Sequence, residues 1–444
     1  MKIGARVLPG EWSRFTTLAL LLFINSLVLE SNEVVATSGF VSRVGAEQIL
    51  WVWAIDMLIV ILTSGAYSLI VDRTQRGRLA IRLSVSFSLV YVLLFLLFVS
   101  GVPDWLSYPL LTVINDQQWM LLPLLIWTLA NDLFSTAAAK RLFPLLGVAA
   151  LVGGILGNGL AAGVAQSLAE SLLGRVALLL VNAGLILVSA IILAVALRRI
   201  KITTHQSRQD ETVLDTLREG LAFVREVPSF RYLSLAMILL GVGLNVIEYQ
   251  LIVSALNTYP EPAALQAFYG TFRAAVWVML LLVQGVGASW LLNRIGFKSI
   301  FAFMPGALLI GLFLVLAWPV LIGVAIGDFL TRITLSGIDE PSRRAFQGMV
   351  PDERRGRVSV FLDGYLYPLG SVLSCGMVGA VVFAVGQNLL APEVGRTLYL
   401  SLGGACAGIA LWAITQFRGH YDESMLNWRL KRRRRLSTLE DLEL

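Results

Sequence analysis

Residues Thr16–Phe40 read TTLALLLFINSLVLESNEVVATSGF, an apolar stretch whose only charges are Glu30 and Glu33. About 20 apolar residues in a helix cross a bilayer, so the stretch is long enough to span one. A carboxylate at the centre of a membrane helix costs about 3 kcal/mol or more, and such residues usually face a protected interior and serve a function there. Glu30 and Glu33 are three residues apart and therefore share a helix face. The stretch points to a protein that handles a polar solute or ion inside a membrane.

The rest of the chain extends this reading. Apolar residues make up 57% and charged residues 14%, against roughly 25% charged in a soluble protein. Twelve membrane-length stretches follow one another, at about 15–39, 47–71, 80–101, 108–136, 142–167, 174–197, 230–257, 264–292, 299–317, 319–338, 358–386 and 396–417. The division between the ninth and tenth rests on Trp318-Pro319 alone. With twelve spans, all but five of the 35 lysines and arginines fall on one side; the exceptions are Arg43, Arg175, Arg273, Arg332 and Arg396. That asymmetry is the positive-inside pattern and puts both termini in the cytoplasm, in the cytoplasmic (inner) membrane. The net charge of +6 thus reflects topology, and no nucleic-acid partner is expected. The first stretch is too long, and lacks the small-residue cleavage site, of a signal peptide. Cys375 and Cys406 lie within spans and read as buried structural thiols. His205 and His420, the two histidines, lie in cytoplasmic segments. With no catalytic triad and no metal-ligand spacing, neither an enzyme nor a cofactor is expected.

The longest polar interruption, 198–229, divides the chain into bundles at 1–197 and 230–417, with a tail at 418–444. Within it Leu214, Leu217, Leu221 and Val224 recur at helical spacing, so an amphipathic helix along the cytoplasmic face is expected. The tail is basic through Arg429 and Lys431 to Arg435, then acidic at Glu440, Asp441 and Glu443. Its basic part follows a span closely and suits anionic lipid heads, with docking of a partner protein as the other use. The fifth stretch is rich in glycine (Gly147, Gly153, Gly154, Gly157, Gly159 and Gly163), which lets membrane helices approach closely.

Asp72-Arg73-Thr74-Gln75-Arg76-Gly77-Arg78 after the second span is echoed by Asn293-Arg294-Ile295-Gly296-Phe297-Lys298 after the eighth. These turns, with six plus six topology, resemble the major facilitator superfamily. The resemblance implies an all-α polytopic membrane protein of twelve transmembrane helices in two six-helix bundles, related as parallel repeats. It also implies that spans one, four, seven and ten line a central cavity. Most intramembrane charges fall on those spans: Glu30 and Glu33 on the first, Asp116 and Asp132 on the fourth, Glu248 on the seventh, Asp328 and Arg332 on the tenth. Asp56, Arg273 and Asp363 fall on other spans. Several have plainer readings. Asp132 can cap or pair with Lys140 or Arg141, Asp116 can sit solvated at the outer mouth, Asp328 and Arg332 can pair structurally, and Asp363 can be interfacial.

Four stretches resemble the ATP:ADP antiporter family of nucleotide transporters. They are Trp127–Asn131 with Ala139–Gly147, Arg231–Leu233 with Leu244–Glu248, Tyr259-Pro260 with Ala267–Phe272, and Asp339-Glu340-Pro341 with Arg343, Arg344, Asp363-Gly364 and Pro368–Gly370. The resemblance implies nucleotide exchange, with cavity lysines on the phosphates. The family's Lys-Asp pair falls here on Asn32-Glu33, a further lysine on Ile252, and a Gly-Lys pattern on Gly370-Ser371. The expected recognition residues are therefore Glu30, Asn32, Glu33, Asn245, Glu248, Arg273 and Arg332. Those expected in coupling or gating are Asp56, Asp72, Arg73 and Asp328. Arg273 and Arg332 offer the rigid donor fork suited to phosphate or carboxylate. The expectation is an alternating-access transporter of an anionic or phosphorylated solute. A non-nucleotide, amphipathic or lipid-like solute is the alternative, and a non-transporting subunit that docks a partner is the third reading.

Overall fold

Apolar runs of this length leave the backbone no partner in lipid except itself, and the result is helix throughout. In the computed structural model, residues 7–71, 74–167, 172–199, 213–284, 294–347, 358 and 361–440 are described, and no strand occurs among them. The first six long helices are α1 (Trp12–Arg43), α2 (Ile49–Val71), α3 (Arg76–Val99), α4 (Asp104–Leu133), α5 (Thr136–Ser167) and α6 (Leu172–Arg199). A shorter α7 (Val213–Glu226) precedes α8 (Pro228–Thr258) and α9 (Pro262–Leu282). The remainder comprises α10 (Phe297–Ile300), α11 (Phe303–Ala317), α12 (Leu321–Thr334), α13 (Glu340–Gln347), α14 (Tyr367–Gly386) and α15 (Pro392–Glu440).

Among the described residues, eleven helical stretches are long and apolar enough to cross a membrane. They match eleven of the twelve expected spans; α4 is not among them, although it is 30 residues long. Asn115, Asp116, Gln117, Gln118, Asn131 and Asp132 explain this, because α4 carries more polar groups than a lipid-facing helix tolerates. The break at Trp318 is real: α11 ends there, and α12 continues through a π-helical segment, Leu335–Asp339, into α13. The last span and most of the tail form one helix, α15. Large apolar side chains such as Trp51, Leu62, Phe313 and Phe383 are each more than two-thirds exposed. Exposure on that scale fits a surface facing lipid.

The chain forms two compact units. The first comprises Met1–Val213 with Tyr249–Gly287; the second comprises Leu214–Glu248 with Ala288–Leu444. Thus α8 gives its first part to the second unit and its last turns to the first. In the first unit α1 packs on α4, α5, α6 and α9. At one end of that unit, Leu18, Leu21 and Leu22 of α1 meet Leu125 and Leu129 of α4, Leu142 and Leu146 of α5, and Leu193 of α6 in one apolar cluster.

The expected amphipathic helix corresponds to α7, and of its expected apolar face Val224 is buried and Leu221 is not. Phe223 is buried as well. The side chains of Leu214 and Leu217 lie outside the described residues. Phe223 packs edge-on to Phe230, which stacks on Phe346. Phe301, Phe417 and Tyr421 complete this aromatic cluster. Burial of rings this large fixes α7 to the second unit as part of its core.

Candidate functional site

α1 carries the first group of site residues, and helical spacing turns Glu30 and Glu33 the same way. Arg273 of α9 reaches both. Its Nε donates to Glu30 Oε2 at 3.2 Å and its Nη2 lies 3.1 Å from the same oxygen. Its Nη1 lies 3.6 Å from Glu33 Oε1. Glu30 Oε2 also accepts from Asn158 Nδ2 of α5 and from Trp277 Nε1 of α9, each at 2.9 Å. Glu33 accepts from Asn115 Nδ2 of α4 at 3.1 Å and from the Thr37 hydroxyl at 3.2 Å. A buried carboxylate keeps its charge only when paired and hydrogen-bonded in this way.

The second group lies in the other unit. Arg332 Nη2 is 2.8 Å from Glu248 Oε1, and its Nε pairs with Asp328 one turn earlier on α12. Asp328 is almost fully buried. Asn245, one turn before Glu248, accepts from the Cys375 thiol at 3.8 Å. It shares a helix face with Glu248 but is not joined to the arginine.

A third arginine repeats the pattern. Arg343 of α13 lies 3.7 Å from Asp339 and 3.4 Å from Asp363. Gln347 Nε2 donates to Asp363 Oδ2 at 2.9 Å. Both aspartates sit in π-helical segments, Leu335–Asp339 and Leu362–Leu366. Such turns are frequent where a side chain must be re-aimed for function. Asp363, readable as an interfacial residue from sequence, is here an ion-pair partner. Because two aspartates flank Arg343, either alone still neutralises it. Asp339→Asn and Asp363→Asn are each expected to cost about 1 kcal/mol, as for one net hydrogen bond. The double variant is expected to cost more than the sum, since residues of one network couple. Thermal unfolding of the purified protein in detergent checks the non-additivity.

The other expected residues separate. Asn32 is fully buried, and its Oδ1 accepts from Asn182 Nδ2 of α6 at 2.7 Å. It is thus engaged with α6 and not joined to Arg273. Asp56 is fully buried on α2. Asp72 and Arg73 lie outside the described residues. Asp132 pairs with Arg76 at 2.7 Å, while Arg141 pairs with Glu11 at 2.8 Å; the side chain of Lys140 lies outside the described residues. The Leu8 amide and the Arg141 guanidinium hold the Glu11 carboxyl below its usual range, against desolvation, which acts to raise it.

Sequence reasoning missed Asn158, Trp277 and the Arg343 cluster. Trp277 carried a usable signal: it follows Arg273 by four residues, so both must share a face. Asn158, an amide in the middle of the glycine-rich span, carried a weaker one.

A family profile described as TLC ATP/ADP transporter matches residues 95–318. No curated protein matches the chain. Among solved structures, a mutant of the nucleoside transporter NupG superposes with a TM-score of 0.67 at 16% identity, covering 92% of this chain and 99% of that one. A bacterial homologue of the iron transporter ferroportin, in its inward-facing state, gives 0.60 at 16% identity, with 90% and 98% covered. The E. coli fucose:proton symporter FucP gives 0.54 at 15% identity, with 91% and 98% covered. At these identities the likeness establishes the fold, which is that of the major-facilitator transporters. The protein is an integral membrane transporter and not an enzyme. The profile covers just over half of the chain, which therefore belongs to the TLC ATP/ADP transporter family.

Proposed function

We propose that the protein moves a small polar solute without a polyphosphate, by alternating access. Glu30, Glu33 and Arg273 act as one recognition group, and Glu248, Asp328 and Arg332 as the other. One observation carries this reading: Arg273 and Arg332 are each already held between two carboxylates of their own unit. With all groups ionised, each cluster keeps one negative charge in excess. A triphosphate concentrates several negative charges, and burying them without matching cations is prohibitive. The family's lysine positions, occupied here by Asn32, Ile252 and Ser371, supply none of those cations.

A second reading has its own support. An arginine fork binds phosphate or carboxylate in two-point fashion. A singly charged anion could therefore displace one carboxylate from Arg273 or Arg332 and leave the other in place. This keeps the family's preference for phosphorylated cargo within reach.

Counterflow in proteoliposomes separates the two. Labelled ATP, ADP, a nucleoside monophosphate, nucleosides, and neutral and cationic small solutes are loaded in turn. The expected result is saturable exchange of a neutral, cationic or singly charged solute, and none of ATP or ADP. Exchange of ATP for ADP that Arg273→Ala abolishes would sink the proposal. For whichever solute is moved, Glu248→Gln is expected to lower the initial rate at least tenfold and leave a monodisperse protein, because Asp328 still holds Arg332. A rate equal to wild type removes Glu248 from the recognition group. The distribution of lysine and arginine supports a cytoplasmic-membrane location with both termini inside, which a reporter fused after Leu444 tests.

A further inference from the structure

Asp56 of α2 belongs to neither arginine cluster. It is fully buried, and neither of its carboxyl oxygens has a donor at hydrogen-bonding geometry. Asp116 and Gln117 of α4 stand beside it, and the charge of Glu33 on α1 acts on it. Gln117 is more than nine-tenths buried with its amide close enough to act on Asp56, yet neither its Oε1 nor its Nε2 reaches a partner at good hydrogen-bonding geometry. Asn115 Oδ1 is likewise buried and unpartnered. Buried polar groups are almost always hydrogen-bonded, so several orphaned atoms around one carboxyl need a physical account.

One added proton supplies a donor to this group of acceptors. Two ionised carboxyls are acceptors only and repel at close range. One proton on the pair turns an acceptor into a donor and removes a charge that costs several kcal/mol or more to hold in hydrocarbon. A metal cation is the other species that satisfies carboxylates. However, no three metal-ligating side chains converge among the described residues.

We infer that Asp56, with Asp116 as its partner, is a proton-binding site. A proton taken from water on one side adds to one Asp56 oxygen and is released to water on the other side, with no other bond made or broken. The site communicates with the recognition group through α4. Asn115, adjacent in sequence to Asp116, donates from Nδ2 to Glu33 Oε2 at 3.1 Å. Glu33 in turn lies 3.6 Å from Arg273. Protonation beside Asn115 therefore alters the field that holds Glu33 on Arg273. This deepens the transport reading given above by naming the driving ion, and it does not depend on which solute is carried.

The test needs no solute for its first arm. Infrared difference spectra of the purified full chain, taken through a pH titration, report protonated carboxyl groups. Wild type is expected to show a titrating carboxylic C=O band that is absent from Asp56→Asn and altered in its pH profile in Asp116→Asn. The asparagine variant mimics the neutral form, so it is expected to remain monodisperse with unchanged thermal unfolding. Identical bands in wild type and Asp56→Asn overturn the proton site, as does a band that appears or vanishes on adding sodium at constant pH. In the second arm an imposed pH gradient is expected to drive accumulation of the solute found by counterflow in wild type but not in Asp56→Asn, while exchange without a gradient persists. Gradient-driven accumulation that Asp56→Asn matches overturns the coupling role. A negative solute panel with the band intact counts against the solute class alone.

Discussion

Arg273→Ala is expected to abolish transport and to destabilise the folded protein by about 3–5 kcal/mol, the cost of removing one partner from a buried pair. The argument rests on what remains. Glu30 is 7% exposed and keeps the Asn158 and Trp277 donors, while Glu33 keeps Asn115 and Thr37. Those donors are neutral and stabilise a carboxylate without cancelling its charge. Two acidic side chains one turn apart on α1 would then face each other uncompensated. Lysine at 273 restores the charge but not the fork, so it is expected to hold one carboxylate, recover part of the stability and leave transport impaired. The double variant Glu30→Gln/Arg273→Gln is the sharper control. It removes one charge of each sign, and is expected to recover most of the stability while transport stays lost. Thermal unfolding in detergent, read as a double-mutant cycle, measures the coupling. A coupling energy near zero would mean that the Glu30–Arg273 pair does not hold the cluster.

The same cluster marks how far the sequence could be read. The span pattern needs only composition and period, because a bilayer allows few alternatives to a helix of fixed length. Glu30, Glu33, Arg273 and Arg332 stood out because charge in a span is costly whatever surrounds it. Their partners did not. Pairing of Arg273 with α1 depends on how α9 lies against α1 and α5, and helical period fixes a face without naming the helix it meets. Asn32 shows the cost of that gap. Its alignment to a family lysine suggested a recognition residue, whereas the structure turns it toward Asn182 on α6. Arg332 and Asp328 are the converse case: four residues on one helix is enough to foresee a pair. Asp339 and Asp363 could not be foreseen as joint partners of Arg343, because π turns change the period on which such counting relies.

The three arginine clusters share one stoichiometry, an arginine between two carboxylates. A single pair would be neutral and closed. A pair with a second acid leaves a negative site that can be satisfied by a proton, a cationic group of a solute, or ordered water. This arrangement suits a protein that must release its partners in every cycle, because exchanging one carboxylate for another costs less than exposing a bare guanidinium.

Gly157→Val is the other substitution expected to act strongly, and it acts through packing. A Cβ on Gly157 would fall 2.3 Å from the Leu27 carbonyl oxygen, and one on Gly153 would fall 2.2 Å from that of Phe23. Both obstacles are backbone of α1, so no side chain can turn aside; the helices must separate. Spacing of four on α5 against four on α1 is the small-residue seam by which membrane helices approach closely. Overpacking a tight contact costs about 1–3 kcal/mol, with larger values where backbone must move. Valine is therefore expected to abolish recovery of monodisperse protein, and alanine to lower it. Gly159 is the control, since a Cβ there meets nothing within 4 Å, and Gly159→Ala is expected to match wild type. The alanine variant at 157 also separates packing from function. Asn158 adjoins the seam and donates to Glu30 at 2.9 Å. Backing α5 away from α1 stretches that bond before it unfolds the helix pair. Gly157→Ala is thus expected to lose more transport than its modest loss in unfolding temperature accounts for, whereas losses in strict proportion would mean that the seam serves stability alone.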